Sequence, residues 1–436
     1  MINDPDEAGS RYPQATQPKS PLRPRDDGSK GAVADRLAAV VREFAGIDLP
    51  VRIRAWDGTE AGPADGPVLV IKSPRALRRL LWAPGELGLA RGYVCGDIDV
   101  DGDLGDGLSR VWKHARHAPS ARGLVKAAVL MARLGAVGPP PRPPRTESRP
   151  RGRLHSRGRD RAVIAHHYDL SNAFYELLLD ERMAYSSAYF TPTAQTLDDA
   201  QTSKLDLICT KLRLREGMQL LDVGCGWGSL ILHAAREYGV TATGITLSEQ
   251  QAAFIAERVA GLGLEGRVSV QLCDYRDLPG LSQFRSGFDA VASVEMGEHV
   301  GEAHYPTYAS TLYAALRPRG RLLLQQMSRR AGTAPGGGPF IESYIAPDMH
   351  MRPLPETLGY LETAGFEIRD VETLREHYAR TVECWIRTFE DNYDEFVALQ
   401  GEQVARVWRL YLVGGRLAFE AGRMGVDQIL AAKTDF

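Results

Sequence analysis

The 436-residue chain holds only five cysteines, Cys95, Cys209, Cys225, Cys273 and Cys384, and no two of them form a C-x-x-C pair. An odd number at wide spacing speaks against a disulfide framework and a zinc site alike, and it fits a reducing cytoplasm. No apolar run approaches the roughly 18 residues of a membrane span. Residues 1–31 have Pro, Ser, Asp and Arg but no signal-peptide core, and are expected to be disordered. A formal net charge of −2 argues against a bulk polyanion binder, so no nucleic-acid partner is expected. The most local absence is of acids. Leu108 to Thr146 contains none, whereas Arg110, Lys113, Arg116, Arg122, Lys126, Arg133, Arg142 and Arg145 accumulate there. Within it, Gly123 to Val137 patterns as a helix with Leu124, Ala127, Ala128, Met131 and Leu134 on one stripe and basic residues beside it, as at an anionic membrane surface. The Pro139 to Pro144 segment and the Arg/Ser/Gly run to Arg159 read equally well as a solvated linker, and both readings stand.

What the chain does have is 44% hydrophobic residues, enough for two or three cored domains. Its most informative stretch is Leu220-Leu221-Asp222-Val223-Gly224-Cys225-Gly226-Trp227-Gly228, an apolar strand entering a glycine turn before a helix that Ser229 opens. The pattern is D-x-G-x-G rather than G-x-G-x-x-G. That disfavours a pyrophosphate and favours S-adenosylmethionine, whose ends need close backbone approach but no phosphate cradle.

Residues 32–118 pattern as a small α+β unit: a helix at Val33 to Phe44, strands at Val51 to Trp56 and Val68 to Ile71, a helix from Ala76 and a strand near Ile98. The Asp-rich stretch Gly92 to Gly105 lacks the spacing and closing Glu of an EF-hand, so turns around a short strand are expected, and no metal. A basic helix and linker fill 119–161. From Ala162 to the end, helix and strand patterns alternate as in a doubly wound α/β domain. Thr196-x-x-Asp199 starts a helix carrying Leu205, Ile208, Cys209 and Leu212, and strands follow at Ala242 to Ile245, Val268 to Leu272, Phe288 to Val294 and Arg321 to Met327. Gly224, Thr246, Asp274 and Glu295 to His299 should then converge on one crevice. Thr381 to Gly422 is expected to cover it as helices, and Val426 to Ala432 to return as an edge strand.

Several phrases go further: His167-Tyr168-Asp169-Leu170-Ser171-Asn172, Tyr185-Ser186-Ser187-Ala188-Tyr189-Phe190, the glycine loop with Trp227, Cys273-Asp274-Tyr275-Arg276-Asp277-Leu278 and Glu298-His299-Val300-Gly301. Over Ala162 to Ala432 the chain resembles the cyclopropane-fatty-acyl-phospholipid synthase family, which includes the mycolic acid cyclopropane synthases. The resemblance implies a Rossmann-like class I methyltransferase with a seven-stranded sheet that uses S-adenosyl-L-methionine on the cis double bond of acyl chains. For the longer members, whose layout this chain shares, the acyl chains are those of unsaturated phospholipids, met peripherally at the inner face of the membrane. It assigns Tyr185, Ser186, Asp222, Gly224, Gly226, Trp227, Thr246, Gln251, Asp274 and Tyr275 to the cofactor, and Glu298 and Tyr378 to the reacting centre. Gln251 and Asp274 have helix- or turn-capping as their plain alternative.

In typical members a bound bicarbonate is taken to be the base, held in part by a Cys and a His. Here Ser187 and Gln325 stand at those positions, and Gly415 where a further Cys is usual. Gln cannot titrate, so anion binding and cyclopropanation are both put in doubt. The chain looks like the subgroup that makes an exocyclic methylene as the precursor of a methyl branch, with a flavin-dependent reductase acting next on the product. A cyclopropane product, and an inactive lipid-binding protein on the same fold, are the alternatives. A homodimer is compatible with this layout.

Overall fold

The computed structural model describes residues 32–114, 121–148, 152–168, 171–280 and 282–435. The expectation for residues 1–31 lies outside them, as do Asp169 and Leu170 of the His167 phrase.

Near the N-terminus, β1 (Arg52–Arg54), β2 (Glu60–Ala61), β3 (Val68–Ile71) and β4 (Ile98–Asp101) form a sheet ordered β2-β1-β3-β4. Helices Val33–Ala45 and Pro74–Trp82 lie where the pattern placed them; helix Glu86–Val94 was not anticipated. The Asp-rich stretch is built of ion pairs. Asp97 accepts from Arg75 and Arg79, Asp99 pairs with Lys72 and Arg406, and Asp101 with Arg54, while Asp103 accepts from the Asp106 amide.

The basic helix forms at Ala121–Met131, but its apolar stripe points inward. Ala127, Met131 and Leu134 are buried in one core with Ala34, Leu37 and Leu77. The membrane stripe read from periodicity is therefore largely core, and the outward face carries Leu124, Val125 and Val129 beside Arg122 and Lys126. The following segment is not simply a solvated linker either. Arg79 donates to the Arg142 carbonyl, Glu147 is paired with Arg91, and the Ser148 amide donates to the Ser343 carbonyl, which straps the segment to the body.

The second sheet holds β5 (Gln219–Val223), β6 (Thr241–Thr246), β7 (Val268–Leu272), β8 (Phe288–Val294), β9 (Leu316–Ser328), β10 (Phe366–Thr373) and β11 (Gly425–Lys433) in the order β10-β11-β9-β8-β5-β6-β7. The strands β7, β6, β5, β8 and β9 are mutually parallel, while β11 runs antiparallel to both its neighbours. The last strand is thus interior, not the edge. The edge is β10, whose alternating charges lack the apolar run of a buried strand. Side chains alternate along the strands: Leu220, Ala290 and Leu323 enter one core layer, and Leu221, Val291 and Leu322 the other. Helix Leu197–Leu212 starts on Thr196, whose hydroxyl accepts from the Asp199 amide, as the motif indicated.

Helices Arg375–Asp391, Tyr393–Gln400 and Glu402–Glu420 form the cover, and their aromatic core continues into Ala90 and Val94 of the N-terminal region. Arg406, nearly buried, binds the Tyr93 and Ile98 carbonyls and Asp99, pinning the cover to β4.

Candidate active site

Because parallel strands end together, the loops after β5, β6, β7 and β8 meet at one edge, and there they enclose a crevice. Every residue assigned to the cofactor lines it, with Lys204, Met296 and His299 alongside. In the glycine loop, Gly226 has φ +53° and a Cβ there would face open space, while one on Gly224 would sit 2.8 Å from Met296 Cγ. Glycine leaves a vacant bed in the first case and permits the turn in the second. Among the described residues that line the crevice, three buried polar atoms find no partner: Asp222 Oδ1, Gln251 Nε2 and the Tyr275 hydroxyl. Half of the capping box forms, since the Gln251 amide donates to Ser248 Oγ, while Gln251 Oε1 accepts from Thr246 Oγ1 and the Ser248 amide donates to Thr246 Oγ1 instead. Gln251 Nε2 is consequently left facing the crevice as a spare donor. Burial pushes Asp222 up to about 7, with Lys204 opposing the shift. A cofactor bearing an ammonium and hydroxyls would satisfy these atoms, so the residues fit S-adenosylmethionine. Asp274 is clamped by Arg276, which also reaches Asp160; its turn-stabilising role and its position at the crevice coexist.

Aromatic rings wall the side toward the cover. Tyr185 lies 5.3 Å from Trp385 between ring centroids and hydrogen-bonds Tyr411, and Trp227 packs on Tyr175 while donating to Asn172 Oδ1. Beneath them is a polar knot that joins four separate segments. One oxygen of Glu295 accepts from the Ser187 amide at 2.9 Å and from Gln325 Nε2 at 2.8 Å; the other accepts from the Tyr378 hydroxyl at 2.6 Å. Gln325 is oriented in turn by Gln428, its register partner on β11. Ser187 Oγ donates to the Ala188 carbonyl, so only its backbone serves the knot. Lys204, fully buried, donates to Ser186 Oγ and is the cation among Asp180, Glu295 and Asp222; burial lowers its pKa against their pull.

Of the reacting-centre residues expected from sequence, Tyr378, Ser187 and Gln325 come together on Glu295. Glu298 lies one 3₁₀ turn further on, 1% exposed, with Oε2 unpartnered. Burial, then the charge of Glu295, pushes Glu298 up to about 8. Glu295 is raised by burial too, while its hydrogen bonds from Tyr378, the Ser187 amide and Gln325 act in the opposite direction and favour its charged form. In the sequence Glu295 stands out only as the first residue of the Glu295 to His299 loop. Its signal was an acid immediately following a parallel strand, at the edge where ligands bind.

Among the described residues no group of three or more His, Cys, Asp or Glu side chains is arranged to hold a metal, and no helix is long and apolar enough to cross a membrane.

Residues 155–429 match the family described as mycolic acid cyclopropane synthetase. A probable fatty acid methyltransferase of Pseudomonas putida is 37% identical over 91% of this chain and 95% of its own length. The tuberculostearic acid methyltransferase UfaA1 of Mycobacterium tuberculosis is 33% identical over 96% and 94%. Among solved structures, the mycolic acid cyclopropane synthase CmaA1 complexed with SAH and CTAB superposes with a TM-score of 0.58 at 32% identity, over 63% of this chain and 98% of that one. With a family match over more than half of its length and relatives of this kind over nine-tenths of it, the chain belongs to the mycolic acid cyclopropane synthetase family and is an S-adenosylmethionine-dependent lipid methyltransferase.

Proposed function

We propose that this enzyme methylates the cis double bond of unsaturated acyl chains in phospholipids and releases an exocyclic methylene, the precursor of a methyl branch. The observation that carries this reading is the neutral Gln325 amide held between Glu295 and Gln428. Relatives named as fatty acid methyltransferases, over nearly the whole chain, support it.

Bound in the crevice, S-adenosylmethionine supplies an electrophilic methyl group. An isolated alkene is a weak nucleophile, so the protein's first contribution is to hold it in place. Tyr185, Trp385 and Tyr411 offer an apolar wall that excludes water, which would otherwise trap the carbocation as an alcohol. The positive charge that develops on the acyl carbon is met by aromatic faces, with Tyr378 stacked on Phe419, and by the Glu295 carboxylate. With no titratable imidazole at position 325, a hydride shift onto the first-formed cation precedes proton loss, and a methylene results rather than a ring. Proton NMR of lipids from a host expressing the chain tests this: vinylidene signals are expected, and ring protons alone would refute it.

We also propose that the protein docks on the inner face of the membrane through the outer face of helix Ala121–Met131. Val125 and Val129 are 65% and 46% exposed there, and Arg122, Arg133, Val137 and Trp82 are exposed as well. Reversing Arg122, Lys126 and Arg133 to Glu should release the protein from anionic vesicles by about tenfold or more at low salt; indifference to both the charge reversal and the salt would refute docking here. A reductase that consumes the methylene, and a homodimer, rest on the resemblance alone.

A further inference from the structure

Glu295 is an unusual residue by geometry as well as by burial. It follows β8 with φ +52°, in the left-handed region that a residue with a side chain rarely enters. The backbone there is held by the Glu295 amide, which donates to the Gln325 carbonyl on the neighbouring strand. Its side chain lines the cofactor crevice and collects three donors from three distant segments: the Ser187 amide, Gln325 Nε2 and the Tyr378 hydroxyl. No Lys or Arg forms an ion pair with it among the described residues; the nearest cationic influence, Lys204, is engaged with Ser186. Simple stabilisation does not explain a strained, desolvated carboxylate fixed at the one place where a carbocation must be discharged.

We propose that the Glu295 carboxylate is the base that takes the proton from the alkylated acyl chain, so that the enzyme carries its own fixed anion and needs none from solution. This deepens the proposed function and rests on it. After the hydride shift the positive charge sits on the methylated carbon. A C–H bond of the new methyl group breaks, its electron pair forms the C=C π bond that discharges the cation, and the proton passes to a Glu295 oxygen. Tyr378, Gln325 and the Ser187 amide keep that carboxylate aimed and ionised until then, because each hydrogen bond favours its charged form. The same three donors would also suit a small oxyanion, and Glu295 fills the place such an anion would take.

The test uses the full chain and vesicles of dioleoylphosphatidylglycerol. Glu295→Gln can still accept at one atom and pair with Tyr378 at the other, so it should fold, keep S-adenosylhomocysteine affinity within about threefold, and lose turnover by about 100-fold or more. Glu295→Gly relieves the positive φ and leaves the three donors around a void. Formate should raise the melting temperature of this variant and restore part of its turnover, and should do neither for wild type. Wild type should run at full rate in bicarbonate-depleted buffer. The proposal is overturned if Glu295→Gln retains more than about one-tenth of wild-type turnover, or if wild type stops without bicarbonate and restarts when it is returned. A wild type that forms no product from any unsaturated lipid defeats the proposed function instead; formate stabilisation of Glu295→Gly, which needs no activity, then decides the anion place by itself.

Discussion

The two halves of the crevice are made in different ways. The cofactor half is mostly local, Tyr185 and Ser186 being its distant members. A strand, its glycine turn and the next helix supply Asp222, Gly224, Gly226 and Trp227, and the next two strand ends supply Thr246, Gln251, Asp274 and Tyr275. Each piece is a short contiguous phrase whose geometry follows from glycine and from caps. The reacting half is assembled from remote parts: a loop at Ser187, the end of β8 at Glu295, β9 at Gln325, a cover helix at Tyr378, and β11 at Gln428 behind them. Local construction makes a half that tolerates change elsewhere and fails when a single backbone position is filled. Remote construction makes one that depends on a single carboxylate as the meeting point.

The contrast can be broken most severely at Gly226. Valine there would have to adopt φ +53° and would push a branched side chain into the vacant bed of the loop. S-adenosylhomocysteine affinity should fall on the order of 100-fold or more by calorimetric titration, while the circular dichroism of the fold survives. Retained affinity would show that the ligand does not approach the loop backbone.

In the reacting half, the combined change Ser187→Cys and Gln325→His should leave cofactor affinity unchanged and act on the product. A His at 325 can titrate and can pair with Glu295, so proton loss should come earlier and a minor fraction of cyclopropane should join the methylene, resolved by proton NMR. An unchanged product ratio would mean that these two positions do not control how the cation is discharged.

The smallest effect separates the two neighbouring acids. Glu298 is pushed up to about 8 by burial and by Glu295, well above the roughly 4.3 of an unfolded chain. Its proton therefore stabilises the fold fully below about pH 4, and that contribution is lost as the pH rises toward 8. Glu298→Gln cannot lose it. Between about pH 5 and 8 its melting temperature should drop less than that of wild type, by a few degrees, and should exceed wild type above that range. At neutral pH its turnover loss should be smaller than that of Glu295→Gln, since Gln imitates a protonated Glu. Parallel melting curves would show that Glu298 does not keep its proton in the fold.

Much of the domain was legible because its signals are periodic or punctuated. Strands β7 and β8 fall on the residues their patterns indicate, and Thr196 and Ser248 cap the helices they announce. Pattern reading failed where amphipathicity was real but its partner was hidden. The stripe of Ala127, Met131 and Leu134 suits a membrane and a protein core equally well, and only packing against helix Val33–Ala45 decided for the core. It failed again at β10 and β11: a charged edge strand does not look like a strand, and once it is missed its neighbour looks like the edge.

By itself the sequence determined the alternation of strand and helix, the glycine bed and the identity of the residues that line it, because these depend on backbone freedom and on contacts within a few residues. The tertiary structure alone decided which acid receives the hydrogen bonds at the reacting centre. Glu295 and Glu298 are three positions apart and chemically identical, and no local rule ranks them. What separates them is that three donors from distant segments converge on one and leave an oxygen of the other without a partner, and in a desolvated site each such hydrogen bond favours the charged form of the acid that receives it.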